Sequence, residues 1–147
     1  MTIDRWSLVR FVHVTAAMGW VGGQLLLSGV ILPALRSAQE VGPDQRAALA
    51  RTAGHRFAII STTVLLPTLV VTGVAMAMHR GVTFETLTEG GYGRLLAIKL
   101  ILVVVSVVLA TVHGILVRRH PTPARIAAAT GLASSVGVVM FATALVP

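Results

Sequence analysis

The sequence contains no cysteine, and acidic residues are scarce, with five Asp and Glu among 147 residues. The lack of cysteine excludes disulfide bonds and thiolate-bound metals, so a soft-metal site would have to use Met and His. All five acids fall outside the long apolar runs, which excludes two buried carboxylates as a catalytic acid and base. No Ser–His–Asp set and no glycine-rich phosphate loop is present. The sequence therefore offers no arrangement typical of a hydrolase or a nucleotide-binding enzyme.

The sequence consists largely of long apolar runs. Hydrophobic residues make up 55% of the chain, and the mean hydropathy is +0.86. The formal net charge is +7, but the arginines flank the apolar runs, which is typical of topology signals and not of a nucleic-acid-binding surface. We therefore predict an integral membrane protein whose surroundings are the lipid bilayer, and we expect no nucleic acid partner.

Four apolar segments are long enough to cross a membrane as helices. We predict one all-α domain over residues 1–147, an antiparallel four-helix transmembrane bundle. Pro67 is expected to kink the second span. Residues 36–56 are predicted to form a polar loop, with a short amphipathic surface helix from Asp44 to His55 in its second half. The predicted spans cover about residues 8–35, 57–79, 94–117 and 124–146.

The third span carries the one lysine of the chain. Lys99, Ser106 and His113 follow each other at seven-residue intervals, which places them on nearly one helical face. Ionisable groups within a membrane are costly, so this face should look into the bundle and not at lipid. Lys99 and His113 are about 21 Å apart along a helix, too far to share one ion.

The first span has a polar face and a small-residue motif. His13, Trp20 and Gln24 share a face at spacings of seven and four, and Trp20 is too deep for an interfacial aromatic residue, the role expected for Trp6. Gly19 and Gly23 form a GxxxG pattern, which favours close helix approach. The fourth span is rich in Ala, Gly, Ser and Thr and should also pack tightly. The small-residue faces of these two spans predict a homodimer.

Lys and Arg residues number seven in the two loops after spans one and three and five on the other side of the membrane. This bias predicts that both termini lie outside the cytoplasm. The outer half then contains His13, Lys99 and four of the five methionines. Met76, Met78 and His79 stand together at the end of the second span, and thioether and imidazole groups suit Cu(I). We predict a metal site drawn from His13, Met76, Met78 and His79. Under the alternative interpretation the methionines only fill apolar space and His79 is interfacial.

A haem b site is the second hypothesis. Histidines of facing membrane helices can bind haem iron inside a four-helix bundle. His113 has no histidine partner at its own depth, so the haem would have His113 as its single axial ligand or a second ligand from Met or another subunit. His13 could alternatively bind the iron in the outer half, with Met76 or Lys99 opposite. His113 could instead form a hydrogen bond with Thr62 or Thr63, and Lys99 could extend outward or attract an anion.

Several motifs together resemble the CopD copper-resistance membrane domain. The first is an early His followed by Trp, Gly-Gly and Pro at positions 13, 20, 22–23 and 33. Arg56-Phe57 and Thr72-Gly73 are similar to the same domain, and its most specific motif resembles Tyr92-Gly93-Arg94-Leu95-Leu96 with Lys99. The resemblance covers about 100 residues. It implies copper binding or transfer across a bacterial inner membrane, with a periplasmic metal or electron donor as partner.

The third span departs from that pattern, because His113-Gly114 stands where the CopD domain usually has Asn-Arg. A late His-Gly is similar to the HemJ-type protoporphyrinogen oxidases, small membrane proteins that bind haem b. This second resemblance implies a haem-dependent membrane oxidoreductase. Its cofactor-binding residues would come from a larger set: His13, Tyr92, Arg94, Lys99 and His113.

Overall fold

The computed structural model describes residues 4–83, 85–86, 91–116 and 121–144. Within these ranges all regular structure is helical, which confirms the all-α prediction. The chain forms helix 1, helix 2, helix 3 and helix 4, which span Arg5–Ser37, Pro43–His79, Tyr92–Leu116 and Pro121–Ala144 respectively. Two compact units result, the first from Met1–Arg80 and the second from Gly81–Pro147.

Three of the described helical stretches are long and apolar enough to cross a membrane: Arg5–Ser37, Pro43–His79 and Gly93–His113. A shorter apolar stretch, Ala128–Ala142, lies in helix 4. Large apolar side chains cover the outside of the molecule; Met18, Val71 and Met78, for example, are 70%, 68% and 73% exposed. Soluble proteins rarely expose apolar surface on this scale, whereas a lipid-facing surface has this character.

Helix 2 is longer than the sequence predicted. It begins at Pro43, immediately after the extended residue Gly42, and continues without a break into the apolar span. The stretch from Asp44 to His55 is therefore helical, as predicted, but it is the first part of helix 2 and not a separate surface helix. The predicted polar loop 36–56 shrinks to residues 38–42, because helix 1 continues through Ser37. Pro at the first helical position explains the abrupt start, since its missing N–H needs no partner there.

A π-helical turn precedes the proline within each of the first two helices. These turns are Leu27–Ile31 before Pro33 and Ser61–Leu65 before Pro67. In both cases the leucine just before the proline donates its N–H to the carbonyl five residues back, Leu32 to Leu27 and Leu66 to Ser61. A proline ring would collide with the carbonyl four residues back, and the wider turn moves that carbonyl away. Both helices thus continue past their prolines.

The first unit is an antiparallel pair of helices. Positions on helix 1 contact positions on helix 2 in reverse order, from Trp6 with His79 to Gly23 with Phe57. A Cβ at Gly23 would overlap the Phe57 ring, and one at Gly19 would touch Leu65 at 3.4 Å. Both glycines of the predicted GxxxG pattern therefore lie in the helix contact, where they receive large side chains from helix 2.

The second unit is also an antiparallel pair, held by small and polar residues. The hydroxyl groups of Ser106 and Ser135 are 2.6 Å apart and almost fully buried. Both hydroxyls also lie within hydrogen-bond distance of the Gly131 carbonyl, at 3.2 Å and 3.0 Å. A Cβ at Gly131 would be only 3.3 Å from Cβ of Leu109. The tight packing predicted for the small-residue segment is therefore confirmed for helix 3 against helix 4.

Candidate metal-binding site at His13

His13 lies on the helix 1 face that contacts helix 2. Its Nδ1 atom is 2.8 Å from Oγ1 of Thr72. The Thr72 hydroxyl has a single proton, which it donates to the Thr68 carbonyl at 2.6 Å. Oγ1 of Thr72 can then accept, and the tautomer of His13 with its proton on Nδ1 satisfies both contacts. In the neutral imidazole the lone pair consequently belongs to Nε2, the atom that binds a metal or accepts a proton.

Glycine provides the surface against which the His13 ring packs. A Cβ at Gly73 would lie 3.4 Å from Cε1 of His13, so the ring rests close to the helix 2 backbone. Further along the same face of helix 1, Trp20 is only 4% exposed and the amide nitrogen of Gln24 is buried. The predicted common face of His13, Trp20 and Gln24 is therefore turned inward.

His79 has an aromatic partner. Its ring stacks on Trp6 with centroids 3.7 Å apart and planes inclined by 11°. The stack joins the start of helix 1 to the end of helix 2. It lies seven residues from the His13–Thr72 pair on both helices, which corresponds to about 10 Å along the axes. His13 and His79 thus occupy two different levels of the same helix contact.

Met76 lies between those two levels. Thr72, Met76 and His79 are spaced by four and three residues and share one face of helix 2. Thr72 and His79 both contact helix 1, and Met76 is half-buried. Met78 is 73% exposed, on another side of the helix. Of the predicted soft donors on helix 2, Met76 is the one that shares the face of His79 and the partner of His13.

The structure therefore separates the four predicted metal ligands into two groups. His13, Met76 and His79 follow one helix contact at successive depths, whereas Met78 points away from it. Within the described ranges, no three His, Asp or Glu side chains come together as a group that could hold a metal ion. Any site at His13 would accordingly use few protein ligands, and Met76, four residues after Thr72 on the same face, is the candidate sulfur donor.

The polar face predicted for helix 3 is turned partly inward. Ser106 is 1% exposed and contacts helix 4, while Lys99 and His113 are half-buried. Arg94 is exposed near the start of the helix, and the side chain of Tyr92 lies outside the described residues. Thr62 and Thr63, considered as partners of His113, both donate their hydroxyls to carbonyls of their own helix.

Two contributors to the site did not emerge from the sequence as partners. From sequence, Thr72 belongs to the Thr72-Gly73 motif and Trp6 is an interfacial aromatic residue, and neither has an assigned partner. The position of Thr72 beside Gly73 could have indicated its role. Glycine leaves room on helix 2 for the ring of His13, and the neighbouring hydroxyl can form a hydrogen bond with that ring. The signal for Trp6 was weaker, because nothing in one sequence links it to His79.

No known family model matches the chain, and no characterised protein or solved structure matches it significantly.

Proposed function

We propose that this chain is an integral membrane protein that binds a transition metal through Nε2 of His13, with copper as the metal. One observation carries the proposal: Thr72 fixes the ring of His13 through Nδ1. Histidines that bind metals commonly donate the other ring N–H to an oxygen, which sets the tautomer and the direction of the lone pair. A His–Thr hydrogen bond between membrane helices also has a structural role, so the metal is tested separately below.

Copper is favoured by the chemistry of the neighbouring donors. Met76 shares the helix face of Thr72, and thioether sulfur with imidazole nitrogen is a donor set suited to Cu(I). His79 follows on the same face, so soft donors recur along the contact from the helix end inward. The residues that carry the CopD resemblance also meet in space, His13 with Thr72-Gly73 and Gly23 with Phe57.

Haem b is the second candidate, and a different observation favours it. His13 and His79 lie about 10 Å apart along the helices, so His13 would act as a single well-oriented imidazole. An axial histidine of haem has this arrangement, with Nε2 toward the iron and Nδ1–H toward an oxygen acceptor. The remaining residues of that hypothesis are Lys99, His113, Arg94 and Tyr92.

An absorbance spectrum separates the two candidates. Protein purified in mild detergent is recorded before and after dithionite and is titrated with Cu(I) against a chromogenic chelator. For a copper site we expect no Soret band and stoichiometric Cu(I) binding that weakens at least tenfold in His13→Ala and Met76→Leu. Met18→Leu is the matched control, because Met18 is 70% exposed. A stoichiometric b-type spectrum that disappears in His13→Ala would show that the cofactor is haem b and not copper. Unchanged Cu(I) binding in His13→Ala, with no haem, would refute both.

The proposal also includes the arrangement of the chain in the membrane: four antiparallel spans, both termini outside the cytoplasm of a bacterial inner membrane, and a homodimer. Because the chain has no cysteine, a single introduced thiol is a clean reporter. Asp44→Cys should resist a membrane-impermeant thiol reagent in intact cells and react after lysis. Labelling of this position in intact cells would show that the termini lie in the cytoplasm. Crosslinking in membranes that yields only monomer would refute the proposed homodimer.

A further inference from the structure

Ser61 is buried in the contact between helix 1 and helix 2. On helix 2 it lies four residues after Phe57 and four before Leu65, the residues that pack against Gly23 and Gly19 of helix 1. Its side chain is only 6% exposed, and its hydroxyl has no hydrogen-bond partner among the described residues. A polar atom is therefore enclosed in an apolar helix contact without a partner from the described part of the chain.

Other hydroxyl groups in these helices are satisfied by their own backbone. The side chains that donate to the carbonyl four residues back are those of Ser28, Thr62, Thr63, Thr72, Thr111 and Ser135. This bond is a common solution for serine and threonine within a helix. Ser61 does not form it, although its backbone N–H bonds to the carbonyls of Phe57 and Ala58 in the usual helical way. The Ser61 hydroxyl is thus available to a ligand in the helix contact.

Helix 1 brings two further polar residues to this level. Trp20 and Gln24 stand on either side of Gly23 along the face that contacts helix 2. Trp20 is 4% exposed and carries an indole N–H, and the amide nitrogen of Gln24 is buried. Both groups can donate a hydrogen bond, and a serine hydroxyl can donate or accept one. This level of the contact therefore offers the several polar groups that a buried water requires.

Charge and space restrict the ligand that fits at Ser61. Residues 14–31 and 57–78 contain no Asp, Glu, Lys, Arg or His, so an ion would find no opposite charge there. Phe57 and Leu65 fill the adjacent turns against the two glycines of helix 1, so the ligand must be small. A small neutral molecule that both donates and accepts hydrogen bonds is water.

We propose that an ordered water molecule binds in the helix contact at Ser61, hydrogen-bonded to the Ser61 hydroxyl and to the side chains of Trp20 and Gln24. Buried waters in proteins typically satisfy polar groups that lack a protein partner. The π-turn of helix 2 begins at Ser61, and such turns are frequent at functional sites. Thr72 lies eleven residues further on, about 16 Å along the helix, so the water site is independent of any metal at His13.

Water-selective nuclear Overhauser spectroscopy detects this molecule directly. The intact protein, labelled with ¹⁵N in perdeuterated detergent, should give a cross-peak from water to the backbone N–H of Ser61. Ser106 and Ser135 are the controls, because they are at least as deeply buried but have protein partners for their hydroxyls. Their backbone N–H groups should give no such peak. Equal peaks at all three serines would reflect exchange of hydroxyl protons with water. That result, or no peak at Ser61, would overturn the proposal.

Ser61→Ala tests whether the water contributes to stability. The variant deprives the water of one hydrogen-bond partner, so the unfolding midpoint in denaturing detergent should fall. Ser28→Ala is the control, since the Ser28 hydroxyl bonds to its own helix at an exposed position, and it should shift the midpoint less. Removal of a buried hydroxyl with no partner at all would instead stabilise the folded protein. A midpoint for Ser61→Ala equal to or above that of the unaltered protein would therefore refute the water site.

Discussion

Nδ1 of His13 and Oγ1 of Thr72 lie 2.8 Å apart and join the two helices of the first unit. The contact is directional, because the Thr72 hydroxyl proton is already donated to Thr68. A histidine held in this way is oriented before a ligand binds, which would reduce the ordering cost of binding.

Removing the Thr72 hydroxyl should loosen His13. Thr72→Val keeps the shape of the side chain and deletes the acceptor, so the affinity for Cu(I), or the occupancy by haem, should fall about 10- to 100-fold. Thr72→Ser should retain most of the affinity. Thr63→Val is the control, since the Thr63 hydroxyl donates to its own helix at an exposed position. If Thr72→Val and Thr63→Val have equal affinities for Cu(I) in a chelator competition, Thr72 does not orient His13 for metal binding.

Gly23 should not tolerate a methyl group. A Cβ there would overlap the Phe57 ring, whereas one at the neighbouring Gly22 would meet nothing within 4 Å. We expect Gly23→Ala to lower the free energy of unfolding by about 1–3 kcal/mol and Gly22→Ala to be neutral or slightly stabilising. Unfolding by denaturing detergent measures both. Phe57→Leu should partly rescue Gly23→Ala; a similar loss in both glycine variants would contradict the contact.

The Ser106–Ser135 hydrogen bond should appear as a coupling energy. In a double-mutant cycle of Ser106→Ala and Ser135→Ala, we expect a coupling of about 0.6 kcal/mol and at most about 1.7 kcal/mol, the range found for hydrogen bonds between membrane helices. Ser28 provides the control, because its hydroxyl donates to the Gln24 carbonyl of its own helix. Ser28→Ala and Ser106→Ala should be additive. Strict additivity of the two buried serines would show that their hydroxyls do not interact.

Asp4 should titrate below its ordinary range. Hydrogen bonds from Ser7, and to a smaller extent the charge of Arg10, lower its folded-state pKa. Its contribution to helix 1 is therefore fully present above the unfolded-state pKa of about 3.9 and is lost as the pH falls through the lower folded-state pKa. NMR titration of the Asp4 carboxyl carbon should give a midpoint below about 3.9. Ser7→Ala should move that midpoint upward, and Ser28→Ala should leave it unchanged.

Helical type and membrane character followed from composition and periodicity. Long apolar runs bounded by arginine predict membrane helices whatever their packing, because a bilayer admits few other backbone structures. The seven-residue spacing of Ser106 within the Lys99–His113 face predicted an inward position, and the glycines at positions 19 and 23 predicted a helix contact. These features depend on neighbours along one helix, which a sequence displays directly.

Tertiary structure decided which residues meet across helices. Periodicity selects the face on which His13 lies, but the register between two helices selects Thr72 as its partner, and register depends on the whole set of contacts along both helices. For the same reason His79 contacts Trp6 and not His13. The predicted metal ligands His13, Met76 and His79 therefore lie at successive levels of the helix contact and not at one level. The sequence alone also did not predict that helix 2 starts at Pro43 or that π-turns precede Pro33 and Pro67. A proline permits a break, a kink or a wider turn, and packing decides among them.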